Sequence, residues 1–427
     1  MIKKLKSLII KTLRHELITG SFYVFLGTTL SSFLAFILNI YIARNLSYSD
    51  YGVFASILAL ITLLAIPSAS ISAVIVRFAT LFFSKKEDEK AGAFYIKSFK
   101  YLLIFNVLLT LIFIAFFPLI SNFLKINDLG LMIIAIISVA LFYMATLNVA
   151  FLQSLFKFKL LGLLYTFAGI GKLIGGVLLI IMGFKVYGAL LATLIFSLID
   201  YIFSFIPLKK IISKAGKDVS IGRREFVYYA IPTSIAIFSL SSFISTDVIL
   251  VKHFFSASEA GFYGGLSLMG KVVFYFTGSI PMAMFPLIVK RHTNKENFNN
   301  LFYIALIIVL IPSVVITIFY FVFPQFTIKL FLGGAGYISV APYLGLFGVL
   351  LTIYSVNNVF VNFFLSIKKT LVSLIVLFFA LLQIILIYVY HDNFYQIIYV
   401  SVISSVLLLG SLMVYYLKLY GPSYKKE

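Results

Sequence analysis

The stretch "YIARNLSYSDYGVFASILAL" (41–60) returns 209 residues later as "LVKHFFSASEAGFYGGLSLM" (250–269), aligned without a gap. Ser47 falls on Ser256, Ser49 on Ser258, Asp50 on Glu259 and Gly52 on Gly261. Farther along, "KKE" (85–87) lands on "NKE" (294–296) at the same offset of 209. Ser-x-Ser-acid before an apolar run predicts a helix N-cap, with a negative charge at the positive helix end. The two glycines are expected to allow a tight entry into each helix. The turn reads as a structural cap, with a direct substrate role as the alternative. What was duplicated depends on the class of chain around it, and composition decides that.

Of 427 residues, 62% are hydrophobic and only 11% charged, with a mean hydropathy of +1.11. Soluble domains carry about 25% charged residues. The chain is therefore expected to be an all-α integral membrane protein with many spans. The absence of cysteine excludes disulfides, thiolate metal sites and a cysteine nucleophile. His15, His253, His292 and His391 are scattered, with no metal-binding spacing, and no metal site is expected.

A helix needs roughly 20 apolar residues to cross the hydrocarbon. That window predicts about twelve transmembrane helices. Six lie near 20–42, 51–75, 101–121, 129–152, 161–183 and 186–207. Six more lie near 227–251, 261–288, 299–323, 338–365, 370–390 and 395–417. The implied organisation is a basic N-terminal segment (1–19), an N-lobe (20–207), a basic linker (208–226), a C-lobe (227–417) and a tail (418–427).

The basic residues orient the spans. One side takes 27 of the 34 lysines and arginines, the other side 5, namely Arg44, Lys125, Lys185, Lys252 and Lys329. The richer side is expected to be cytoplasmic, with both termini there. The net charge of +20 is thus a topology and lipid-surface signal rather than a nucleic-acid footprint. No cleavable signal peptide is expected in the opening "MIKKLKSLIIKTLRHELITG", because a span-length apolar run follows it without a small-residue cleavage pattern. Residues 1–16 read either as a cytoplasmic amphipathic helix or as a frayed basic tail. With an even number of spans per unit, the two lobes have the same orientation, so the repeat is parallel. Transporters built from parallel repeats place the substrate path at the repeat interface and alternate access by rocking.

Four ionisable residues fall inside predicted spans: Lys172, Asp200, Asp247 and Lys271. Each costs at least ~2.5–3.5 kcal/mol near the bilayer centre unless it meets water or a partner. Lys172 and Lys271 are expected to face a central cavity, where two cations would attract an anionic lipid substrate. The competing reading is a structural ion pair, such as Lys271 with Asp247 on the adjacent antiparallel helix. Asp247 is the coupling candidate. Asp200 is expected to pair with Lys209 and Lys210 near the membrane surface. The stretch "GLSLMGKVVF" (265–274) resembles a phosphate loop, but Val272 stands where Ser or Thr would bind Mg²⁺. Its context is a membrane helix. Asn39, Asn148, Gln153, Asn357, Asn358 and Gln383 are expected to hold helices together, with cavity lining as a second reading for Asn357 and Asn358. Gly171 and Gly175 form a G-x-x-x-G, expected to mark a close helix contact.

Five segments in order carry a family resemblance. "ARNLSYSDYGVFASILAL" is similar to the outer turn and second span of the Wzx-type oligosaccharide flippases, the polysaccharide transporter branch of the MOP flippase superfamily. "SASISAVIVRFATLF" resembles that family's end of span 2 and puts its characteristic arginine at Arg77. "STDVILVKHFFSASEAGFYGGLSLMGKV" resembles its span 7–8 hairpin, with the acidic residue at Asp247. "IPMAMFPLIVKRH" and "FLGGAGYISVAPYLGLF" are similar to the following span end, at Pro286, and to the loop entering span 10, with Gly334, Tyr337 and Pro342. The resemblance implies a two-lobed MOP/MATE-like bundle with a cationic central cavity. It implies movement of undecaprenyl-diphosphate-linked O-antigen, capsule or related repeat units from the inner to the outer leaflet of a bacterial plasma membrane. It implies coupling to an ion gradient without specifying the ion, H⁺ or Na⁺, and no cofactor is expected. The partners implied are the lipid-linked oligosaccharide, membrane lipids, and a polymerase or other assembly proteins.

A cation-coupled antiporter of small compounds and a lipid II-type flippase are the alternatives. The antiporter predicts acidic rather than basic cavity residues. An enzyme of the same pathway would want a large outer loop with catalytic groups, and the outer connections are short. ATP-driven export is disfavoured, because no complete nucleotide-binding motif is present.

Overall fold

The computed structural model describes residues 2–216, 223–293 and 296–420. The chain forms two compact units. The first comprises Met1–Ile42, Ser68–Leu119 and Asp128–Arg223, and the second Ala43–Pro67, Ile120–Asn127 and Arg224–Glu427. Among the described residues, ten helices are long and apolar enough to cross a membrane, and one bent pair brings the number to eleven. The protein is an all-helical, multi-pass membrane protein.

The first unit is built from the long helix α1 (Ile2–Asn45) up to Ile42, α3 (Pro67–Ser84), α4 (Asp88–Ala115), α6 (Leu129–Ser154), α7 (Phe158–Ile181), α8 (Lys185–Phe205) and the short α9 (Lys209–Ile212). The expected N-terminal segment is the start of the 44-residue α1, continuous with the first span. Here α7 packs along α8, and α8 along α6. The second unit takes α2 (Tyr48–Ala65), α10 (Arg223–Ser242), α11 (Thr246–Phe254), α12 (Ala257–Thr277), α13 (Ser279–Thr293), α14 (Asn299–Val322), α15 (Pro324–Phe331), α16 (Leu344–Ser366), α17 (Val372–Val389) and α18 (Phe394–Tyr420). The short α5 (Phe117–Leu124) ends in it.

Three expected spans are not single helices. The span at 51–75 breaks between α2 and α3 at Pro67, which has no backbone N–H to continue the ladder. The span at 261–288 breaks at Gly278, between α12 and α13. The span at 227–251 bends by 48° between α10 and α11. The stretch expected as the eighth of twelve spans therefore lies on two helices, outside the ten single ones. The breaks themselves follow the duplication, since Pro67 and Gly278 are 211 residues apart. So do the two eight-residue helices that follow long ones, α5 after α4 and α15 after α14.

The chemistry of each unit suits a hydrocarbon solvent. Large apolar side chains stand outward, among them Phe276, Leu119 and Met182 at 70%, 69% and 69% exposure, as lipid-facing helices require. Some buried hydroxyls are satisfied within their own helices: Ser56 donates to Gly52 O at 2.6 Å and Ser138 to Ile134 O at 2.7 Å. Between helices, asparagines do the joining. On α6, Asn148 Nδ2 donates to Tyr201 O of α8 at 3.1 Å. On α16, 209 residues later, Asn357 Nδ2 donates to Ser405 O of α18 at 3.0 Å. The duplicated unit thus carries the same cross-brace twice.

Candidate functional site

The predicted caps form in both copies of the repeated turn. Ser47 Oγ accepts from Asp50 N at 3.1 Å. Ser256 Oγ accepts from Glu259 N at 3.3 Å, while Glu259 Oε2 accepts from Ser256 N at 3.0 Å. The longer Glu side chain completes a capping box in the second copy only. The glycines do something different from what local sequence suggests. A Cβ on Gly52 would lie 2.7 Å from Gly261 N, and one on Gly261 only 1.8 Å from Tyr48 O. They are bare because the two copies of the turn pack against each other, α2 on α12, inside the second unit.

Residues 265–274 lie wholly within α12, so the phosphate-loop resemblance has no loop behind it. Its glycines answer to packing: a Cβ on Gly265 would meet the Tyr337 ring at 2.6 Å, and one on Gly270 the Phe347 ring at 2.1 Å. Lys271 follows on the same helix. The acid that acts on it electrostatically is Asp247 of α11. No ion pair within 4.0 Å joins the two among the described residues. Asp247 is 1% exposed, and Tyr263 of α12 donates its hydroxyl to Oδ2 at 2.9 Å. Asp247 Oδ1 has no hydrogen-bond partner.

The first unit holds a second set. Lys172 on α7 and Asp200 on α8 act on each other electrostatically, and Tyr165 also feels Asp200. No ion pair within 4.0 Å joins Asp200 to Lys172, Lys209 or Lys210 among the described residues. Asp200 Oδ1 is buried without a hydrogen-bond partner. A few residues along α7, the G-x-x-x-G face receives a ring rather than a backbone. Cβ atoms on Gly171 and Gly175 would meet Phe196 of α8 at 2.1 and 2.6 Å.

Of the amide candidates, Asn148, Asn357 and Gln383 bridge helices, while Asn39 and Asn358 bond within their own. Asn357 is 1% exposed and bonded to α18, and Asn358 accepts from Asn362 Nδ2 through both its backbone and side-chain oxygens. Gln383 Nε2 reaches Phe243 O at 3.3 Å and Ser401 Oγ at 3.0 Å. Arg77 falls on α3, with its side chain outside the described residues. No group of three or more acids and histidines that could hold a metal is found among the described residues. Tyr263 was not singled out from the sequence, although a signal was there. Asp247 and Tyr263 stand at equal distances either side of the turn at Phe255, so an antiparallel hairpin sets them level.

Among solved structures, the chain is similar to the lipid II flippase MurJ in an inward closed conformation, with a TM-score of 0.69 at 17% identity, covering 93% of this chain and 87% of that one. It is similar also to an inward-facing multidrug resistance MATE family transporter of the MOP superfamily, with a TM-score of 0.66 at 15% identity, covering 91% and 95%. A MATE in complex with MaL6 gives 0.64 at 15% identity, covering 95% and 97%. These likenesses establish the fold. No curated protein matches. The family model described as polysaccharide biosynthesis protein matches residues 41–342. The chain belongs to that family. This member of the polysaccharide biosynthesis protein family has the fold shared by the MurJ and MATE structures. The family match begins at the first copy of the repeated turn and ends at Pro342, just past the "FLGGAGY" segment.

Proposed function

We propose that the protein is a flippase for undecaprenyl-diphosphate-linked oligosaccharide repeat units of O-antigen, capsule or another surface polysaccharide. It moves them from the inner to the outer leaflet of a bacterial plasma membrane, with both termini cytoplasmic. The observation that carries the reading is a lysine within the spans of each unit, Lys172 and Lys271, in a chain of the polysaccharide biosynthesis protein family. Each lysine shares the field of one acid, Asp200 or Asp247. A diphosphate brings more negative charge than a single carboxylate, so it can draw either lysine away from its acid. The acid freed in that exchange becomes a site for a coupling cation, H⁺ or Na⁺. Cation uptake on one side and diphosphate release on the other then drive alternating access.

The test is translocation of a labelled undecaprenyl-diphosphate oligosaccharide in vesicles reconstituted with the purified protein. Lys172→Ala and Lys271→Ala should each slow translocation by about tenfold or more, the worth of one charge-assisted contact, with membrane insertion unchanged. Unchanged rates in both variants would sink the cationic reading. The two acids within the spans favour one competing reading, an antiporter of small cationic compounds. On that reading, Asp200→Asn and Asp247→Asn abolish uptake of a cationic dye while the lysine variants retain it.

A further inference from the structure

Of the five cations on the predicted outer side, the fold gathers two at one place in the second unit. Residues 120–127 pack with that unit, although α4 before them and α6 after them belong to the first. They are fastened to the end of α11. His253 Nδ1 donates to Phe123 O at 2.7 Å, and the two rings stack at 4.1 Å, inclined by 7°. Lys125 follows Phe123 by two residues, Lys252 precedes His253 by one, and Lys125 acts on Lys252 electrostatically. Two cations held together, one of them buried, weaken a fold unless an anion joins them.

The fastening itself has a second copy, and that copy lacks the lysines. At the offset of 209, His253 falls on Arg44, which donates from Nε to Phe331 O at 2.8 Å and from Nη2 to Leu330 O. His253 and Arg44 are each the last residue but one of their helices, as are Phe123 in α5 and Leu330 in α15. Lys252, by contrast, falls on Ala43, and the place of Lys125 after α5 is taken after α15 by Leu332. Holding the short helix therefore needs neither lysine. Nor does Lys252 behave as an ordinary surface lysine, whose side chain runs out to water. It is 2% exposed and makes no hydrogen bond or ion pair among the described residues. The acids nearby in sequence are engaged: Asp128 caps α6, Asp247 holds the Tyr263 hydroxyl and Glu259 caps α12. The negative end of α11 offers only a fraction of a charge against two.

We propose that Lys125 and Lys252 form a binding site for a phosphate group at the predicted outer end of α11. Phosphate oxygens accept from several donors at once, and basic pockets between membrane helices take lipid phosphates. The phosphate comes either from the diphosphate of a lipid-linked substrate or from the head group of an ordinary anionic lipid. Only the first source rests on the flippase reading. The test is equilibrium binding of labelled undecaprenyl diphosphate and of labelled phosphatidylglycerol to the purified protein in nonionic detergent. A Lys172→Ala, Lys271→Ala background removes the two deep lysines from the measurement. In it, Lys252→Met keeps the apolar stem and should weaken binding of at least one lipid by about tenfold. Lys125→Ala, at an exposed position, should weaken it by about threefold. Tighter binding of undecaprenyl diphosphate would make the site part of the transport path, and tighter or equal binding of phosphatidylglycerol a lipid site. A second measurement needs no ligand. Without anionic lipid, Lys252→Met should raise the unfolding midpoint, because it removes an unpaired buried charge. Binding of both lipids indifferent to Lys252→Met would overturn the proposal, and so would a lowered midpoint, the mark of a structural lysine. If phosphatidylglycerol binding responds to Lys252 while undecaprenyl diphosphate binds neither the background nor the unaltered protein, the phosphate site stands and the flippase reading falls.

Discussion

In the first unit, Asn148 is held by three hydrogen bonds: Tyr95 donates to its Oδ1 at 2.7 Å, and its Nδ2 donates to Tyr201 O and Ser204 Oγ, both at 3.1 Å. In the second unit, the matching Asn357 makes one bond through Nδ2 and leaves Oδ1 unpaired. The charged groups invert the contrast. Asp247 of the second unit is 1% exposed and takes a hydroxyl from Tyr263, while Asp200 of the first is only half-buried. Nor are the charges copies of one another. At the repeat offset of 209, Lys172 meets Leu381, Asp200 meets Leu409, Lys271 meets Thr62 and Asp247 meets Leu38. Duplication carried the bracing amide into both halves, and the intramembrane charges are not part of the copy. Framework and chemistry thus have separate origins in this chain.

The comparison can be broken most sharply at the acids. Asp247→Ala should cost about 3 kcal/mol of stability, because it leaves the buried Tyr263 hydroxyl without its charged acceptor. Asp200→Ala should cost roughly half as much, since Asp200 is less deeply buried and accepts no side-chain hydrogen bond. Thermal unfolding in detergent reads both, and equal losses would mean that burial does not separate the two sets. Next in size is Tyr263→Phe, expected to cost about 1.5–3 kcal/mol by removing the hydroxyl bonded to Asp247. In an Asp247→Leu background the same change should be nearly silent, and a full effect there would detach Tyr263 from the acid. The smallest effects belong to the braces. Asn148→Leu should cost about 1.7 kcal/mol and Asn357→Leu about 0.6, following their different numbers of partners. A reversed order would mean that the unpaired Oδ1 of Asn357 has a partner in the membrane that Asn148 lacks.

Much of this was legible before any coordinates. The caps at Ser47 and Ser256 are local: a short polar side chain before an apolar run bonds the nearest free N–H whatever surrounds it. That α11 and α12, which carry Asp247 and Lys271, pack on each other was available too, because a hairpin brings adjacent spans together. No ion pair within 4.0 Å joins those two residues among the described ones. That α7 and α8 pack side by side, putting the helices of Lys172 and Asp200 together, was not available. Span continuity was also misjudged at 51–75, 227–251 and 261–288. A hydropathy window averages over Pro67 and Gly278, and a broken helix is as apolar as a straight one.

The sequence by itself determined the solvent, the helical class and the duplication, because these depend on composition and on residues compared with themselves at a fixed offset. It also determined which four charges have to be explained inside the membrane. Only the tertiary structure decided what those residues face. Gly52 and Gly261 look like local turn glycines until α2 lies on α12, where a single added carbon would collide with backbone. Arg44 looks like a topology charge until its guanidinium is found on the carbonyls of α15, 286 and 287 residues away. The physical reason is the same in both cases. Hydropathy and capping act over one turn of chain, whereas close approach and charge pairing act through space.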